Sequence, residues 1–167
     1  MTTEPIPWRW ASATALGSAH RRRGVPNQDA ANVRFDSLPL PWGETVIACV
    51  ADGHGSPEYV RAHDGAQAAV DVASQAVLGL IREHREVSGQ TIAEAWVDLS
   101  RRLPERLVDA WRQWISTYHA SKTFTPEELT AIDARQPTAR GRATDEEPHR
   151  AYGCTLMVVI ATAAGVG

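Results

Sequence analysis

Asp52 and His54, one glycine apart and just behind an apolar run, are the side chains in this sequence best set for chemistry. The stretch Val46-Ile47-Ala48-Cys49-Val50-Ala51-Asp52-Gly53-His54-Gly55-Ser56 opens with six apolar residues, which predict a strand covered on both faces. Glycines after the acid let the backbone turn sharply and approach a ligand closely. An acid and an imidazole at the mouth of a rigid element are held where a site needs its groups fixed. Carboxylate and backbone carbonyl oxygens suit hard divalent cations. An imidazole, with an ordinary pKa of about 6.5, can carry a proton at neutral pH. A zinc role for His54 would need Cys or His partners at metal spacing, and none lies nearby. The plain alternative is an Asp-Gly turn joining two elements.

The elements that would position this pair follow from pattern. Residues 8–16 alternate loosely and predict a first strand, and Gly17 to Gln28 is rich in turn residues and predicts a loop. Asp29 to Phe35 predicts a second strand and Glu44 to Ala51 a third, so the sheet is expected to be mainly antiparallel. Ala66, Val70, Ala73, Val77 and Leu80 then recur at helical spacing, which predicts a helix from Glu58 to Glu83 that Ser88-Gly89 ends. A second helix carries Ile92, Trp96, Leu99, Leu103, Leu107, Trp111, Trp114 and Tyr118 on one face, and Pro104 is expected to bend or interrupt it. Its tryptophans follow the plain amphipathic period, so core packing is favoured over a partner-binding stripe. Thr125-Pro126-Glu127-Glu128 has the marks of a helix start: a capping threonine, proline at the first position, then acids at the positive end. Residues 133–150 carry charge, proline and glycine without a period and are expected to form an exposed excursion. Tyr152 to Ala163 predicts a strongly apolar last strand. Strands, then helices, then a strand give an α+β layout with helices on a sheet, in a single domain spanning 1–167. A last strand apolar on both faces calls for a covering layer that nothing after it supplies.

Composition excludes some classes. With 17 basic against 20 acidic residues and a net charge of −3, the chain is not expected to bind nucleic acid, and Arg21-Arg22-Arg23 is too short for a basic patch. The apolar run from Cys154 to Gly167 is shorter than the roughly 20 residues that span a bilayer, so no membrane partner is expected. The first residues lack a basic region followed by an apolar one, so no signal peptide is read. Cys49 and Cys154 both fall in predicted buried strands, which fits core thiols in a reducing compartment and a cytoplasmic location.

Two segments together, Ser18-Ala19-His20 with Gly24-Val25-Pro26-Asn27-Gln28-Asp29-Ala30, and Val50-Ala51-Asp52-Gly53-His54-Gly55-Ser56, resemble the first two motifs of the type 2C metal-dependent protein phosphatases. Gly153-Cys154-Thr155-Leu156 is similar to that family's Gly-Ser/Ala/Thr-Thr strand, and the two long helices between fit its order. The resemblance implies a β-sandwich flanked by helices, in α-β-β-α layers, with a metal site at one end. It implies hydrolysis of phosphoserine and phosphothreonine in a phosphoprotein substrate by a metal-activated water, using two Mn2+ or Mg2+ ions. By the same resemblance Asp52 would bridge both ions, the Gly53 carbonyl would bind one, Asp29 would hold metal-bound water, and His54 would protonate the leaving oxygen. The chemistry independently asks for such groups, because a phosphate monoester is anionic and bound cations offset its charge and lower the pKa of water.

Two departures stand out. Many members carry a phosphate-binding arginine five residues before the motif aspartate, where this chain has Gly24; Arg23, Arg22 and His20 are the candidates to replace it. The family's further metal-binding aspartates follow the last strand, and this chain has no Asp or Glu after Glu147. Asp52 and Asp29 bring two negative charges to four positive ones, so the site is under-neutralised and the domain is expected to be incomplete at its C-terminus. The competing expectation is a non-catalytic, phosphatase-like binding or regulatory module.

Overall fold

A computed structural model describes residues 9–38, 42–84, 91–135, 144, 147–162 and 165–166. A short helix α1 (Ser18–Arg23) precedes strands β1 (Ala30–Ser37) and β2 (Glu44–Gly53). Helices α2 (Ala62–His84), α3 (Ile92–Ser121) and α4 (Pro126–Arg135) follow, then a 3-10 turn at Pro148–Tyr152 and strands β3 (Cys154–Thr162) and β4 (Gly165–Val166). The chain is α+β, as its pattern predicts. All four strands form one antiparallel sheet in the order β1-β2-β3-β4.

The alternation of β2 explains the layering. Thr45, Ile47, Cys49 and Ala51 point to one face and are buried under α2, which lays Ala66, Ala69, Val70, Ala73, Val77 and Leu80 against them. The small side chains let the helix lie close to the sheet, and α3 covers α2 in turn. Ala95, Leu99, Trp96, Leu103 and Leu107 join this cluster, and Trp42 meets Trp96 edge to face at 5.2 Å. A second cluster of Ile115, Phe124, Ile132, Ala151 and Tyr152 packs with Trp114 and Tyr118 beyond the sheet. The tryptophans of α3 are thus partly buried and pack against these two clusters.

Among the described residues the opposite face of the sheet is apolar and mostly uncovered, although Val46 is buried. Its rows across β1, β2 and β3 are Ala31–Val50–Met157, Val33–Ala48–Val159 and Phe35–Val46–Ala161. Val50, Met157, Val159 and Phe35 are 53%, 67%, 40% and 45% exposed. One sheet with helices on one face is what the described residues form, and a second sheet is not among them.

Several local expectations change. Residues 9–17 form no strand: they are mostly small and exposed, and no neighbouring strand pairs with them among the described residues. The expected loop from Gly17 to Gln28 contains α1, closed by Gly24 at φ 65°, with Val25 N–H donating to the His20 carbonyl at 3.1 Å. Helix α2 starts at Ala62 rather than Glu58, because turns bonded Tyr59 N to Ser56 O and Ala62 N to Tyr59 O occupy the lead-in. Helix α3 runs unbroken through Pro104. Pro104 and Ser100 are both exposed, so water can serve the carbonyl that proline leaves without a donor. The Ser88-Gly89 break lies outside the described residues. Of the 133–150 excursion, residues 133–135 finish α4 and 148–150 begin the 3-10 turn with Pro148 buried, while 136–143 and 145–146 lie outside the described residues.

Candidate functional site

Register brings the two acids together. The ladder between β1 and β2 pairs Ala30 with Ala51, and it continues past the end of β1, since Gly53 N–H donates to Gln28 O at 3.1 Å. One step beyond Ala30 and Ala51, Asp29 therefore stands across from Asp52, on the open face of the sheet. Residues opposed in this way have Cβ atoms about 4.5–5.5 Å apart. Both acids are exposed, and Thr155 stands across from Asp52 on the other side. The apolar face thus ends in one polar row of Asp29, Asp52 and Thr155.

Gly53 is required by contact. A Cβ there would lie 2.6 Å from the Gln28 carbonyl oxygen and 3.0 Å from that of Ala62, so only glycine lets β2, the Gln28 backbone and the α2 lead-in converge. Asp29 is approached through a tied turn. Asn27 accepts from the Asp29 N–H at 3.4 Å, its amide donates to Thr14 Oγ1 at 3.1 Å, and its carbonyl accepts from His63 Nδ1 at 2.6 Å.

His54 N–H donates to Gly153 O at 3.0 Å, which fixes its backbone to the start of β3. Its ring meets Tyr59 edge-on at 4.6 Å and 77°. A Cβ on Gly153 would come within 2.7 Å of His54 Nδ1 and 3.0 Å of the Tyr59 ring, so that glycine makes room for the imidazole. Among the described residues, His54 Nδ1 and Glu58 Oε2 are buried side-chain atoms without a hydrogen-bond partner, and both belong to the turn between β2 and α2. Buried polar groups are nearly always paired, so these two are left able to bond a group from outside the turn. A family model for protein phosphatase 2C matches residues 16–167.

The chain belongs to the protein phosphatase 2C family. No curated protein and no solved structure matches it. The suspected family is therefore right, and the match spans every motif that suggested it.

The phosphatase 2C candidates divide into those that are assembled and those that are not. Asp29, Asp52, Gly53 and His54 meet at one end of the sheet. His20 and Arg22 lie on α1, and no hydrogen bond or ion pair joins them to Asp52 or His54 among the described residues; Arg23 closes the same helix. For divalent ions the donor type fits, since Asp29 and Asp52 are exposed hard-oxygen ligands on one face. The donor number does not suffice for a pair of ions: no group of three or more His, Cys, Asp or Glu side chains able to hold a metal occurs among the described residues. Cysteine chemistry is not offered either. Burial pushes the thiols of Cys49 and Cys154 up to about 11, so both stay protonated at neutral pH.

Arg61 escaped sequence reading. It is 8% exposed, and its guanidinium forks onto Glu128 through Nε to Oε1 and Nη2 to Oε2, each at 2.8 Å. It also donates to Thr123 O, Lys122 O and Tyr152 OH. Phe124 lies under it at 4.9 Å. Chiefly the Glu128 hydrogen bonds raise the Arg61 pKa above its ordinary value. Burial pushes the Glu128 carboxyl up, but Arg61 and the Thr125 N–H together outweigh it and hold it below the usual range. The visible signal was the capping box at Thr125 and Glu128, which the structure forms in both directions at 2.8 and 3.2 Å. Nothing in the sequence told that Glu128 would serve a buried arginine as well.

Proposed function

We propose that this protein is a Mn2+- or Mg2+-dependent phosphatase acting on phosphoserine and phosphothreonine in a cytoplasmic phosphoprotein. The observation that carries this reading is the juxtaposition of Asp29 and Asp52 beside an imidazole whose buried Nδ1 has no partner. Asp52 and the Gly53 carbonyl would hold the divalent ions and Asp29 a metal-bound water, with further oxygen ligands from outside the described residues. When bound, such ions offset the negative charge of the phosphate and lower the pKa of water. The chain's own groups do the rest. His54, fixed by Gly153 and Tyr59, gives its proton to the leaving serine or threonine oxygen. His20, Arg22 and Arg23 on α1 are the groups proposed to draw in the substrate phosphate.

Turnover of a phosphothreonine peptide and of para-nitrophenyl phosphate with manganese tests the reading. Activity that disappears in Asp52→Asn and falls in His54→Gln supports it, whereas undiminished turnover in Asp52→Asn removes the metal role. Manganese calorimetry reports on the acids even where turnover is slow. Tight, stoichiometric binding of two manganese ions would count against the binding-module alternative.

A further inference from the structure

Asp29 stands just outside a strand. β1 begins at Ala30, so the place of Asp29 depends on what holds Asn27 and Gln28 before it. Gln28 is held by β2, since its carbonyl accepts from the Gly53 N–H. Asn27 has weaker local support. Its side chain reaches forward to the Asp29 N–H at 3.4 Å and back to Thr14 at 3.1 Å, and both bonds are open to water. Pro26 before it has no N–H to contribute.

The short bond at Asn27 comes from a distant helix. His63 Nδ1 lies 2.6 Å from the Asn27 carbonyl oxygen, across 36 positions of sequence. A carbonyl can only accept, so Nδ1 carries the proton of this imidazole. His63 is the second residue of α2, between Ala62 and Asp64. Its side chain is exposed, while Ala62 and Ala66 fix the same turn of the helix in the core. The bond thus ties a helix packed on the sheet to the residue two places before Asp29.

We propose that His63 is a positioning residue whose Nδ1–H, given to the Asn27 carbonyl, keeps Asp29 across from Asp52. The inference rests on the phosphatase reading for what the two acids do, and it adds a residue that touches neither ion nor substrate. Like charges directly opposite one another repel. Before a cation arrives, Asp29 therefore needs a hold from outside the pair. A lead-in already fixed in place spares an arriving ion the cost of ordering it, which raises affinity.

Three variants of the 167-residue chain test this. His63→Leu removes the donor, His63→Asn keeps an amide N–H at the place of Nδ1, and His63→Gln sets it one bond further out. In the metal-free chain, the Gly53 amide reports on the Gln28 lead-in by hydrogen exchange. It is expected to exchange about three- to tenfold faster in His63→Leu, the worth of one hydrogen bond, and to return near the parent rate in His63→Asn but not in His63→Gln. The Cys49 amide, deeper in the same ladder, is expected to stay unchanged. Manganese affinity by calorimetry is expected to follow the same order, with a three- to tenfold loss in His63→Leu. An unchanged Gly53 amide in His63→Leu would overturn the proposal, as would His63→Asn behaving like His63→Leu. Faster exchange at Gly53 with undiminished manganese affinity would overturn it too, and so would equal loosening at Cys49, which marks general destabilisation. A parent chain that takes up no manganese, with Gly53 still following the expected order, would sink the metal reading and leave the hold on Asp29 supported.

Discussion

Two polar clusters in this molecule are built on opposite plans. Around Arg61, every guanidinium group finds an acceptor: Glu128, Tyr152, Thr123 and Lys122 all receive from it inside a shell of Phe124 and Tyr152. At the end of the sheet, Asp29 and Asp52 face solvent side by side, and His54 Nδ1 is buried with nothing to bond. The first cluster contains a charge that would be costly if left alone, so its neighbours satisfy it. The second withholds satisfaction from groups that could act on something else. Saturation fits a structural cluster, and open valence leaves the second able to bond something else.

Substitutions sharpen this contrast, beginning with the saturated cluster. Arg61→Met leaves Glu128 half-buried without its cation, and breaking such a pair costs about 3–5 kcal/mol; calorimetry is expected to show Tm lower by about 10 °C. Glu128→Gln removes only the anion, from the more exposed partner, and is expected to cost about 1.5–3 kcal/mol. This second effect depends on pH with a definite sign. The Glu128 carboxyl is held below its ordinary value, so its contribution is complete above about pH 4.3 and fades as pH falls through the lowered value. Urea titrations of parent and Glu128→Gln are therefore expected to converge in acid and to separate by a constant amount at neutral pH. Gly153→Ala forces a methyl against His54 Nδ1 and the Tyr59 ring, with an expected loss of about 1–3 kcal/mol and a displaced imidazole visible by NMR. At the open cluster the ordering reverses. Asp52→Asn is expected to leave stability within about 0.5 kcal/mol, because the carboxylate is exposed and opposes Asp29, while manganese affinity in calorimetry falls at least about tenfold. A large stability loss in Asp52→Asn would erase the distinction between the clusters.

Most of the layout was legible because burial writes itself into period. The alternation in β2 and the alanine stripe of α2 name their own faces, and the threonine-proline start of α4 names its cap. The motif around Asp52 and Asp29 was legible by resemblance, and the register then put both acids on one face. Residues 9–17 misled because loose alternation costs nothing in a segment with no strand to pair with. Helix α1 hid among turn residues because six residues are too few to show a period. Arg61 was hidden for a deeper reason. Its partners come from α3, α4 and the 3-10 turn, and no local pattern records a meeting of segments so far apart.

Trp111 has a consequence for how the molecule comes undone. Its indole packs against both apolar clusters and donates to the Gly65 carbonyl at 3.0 Å, so one side chain serves as the rivet between them. Neither half can loosen without prising that ring free of the other. Heat is therefore expected to dismantle the whole body in a single cooperative step, with no lingering half-melted form.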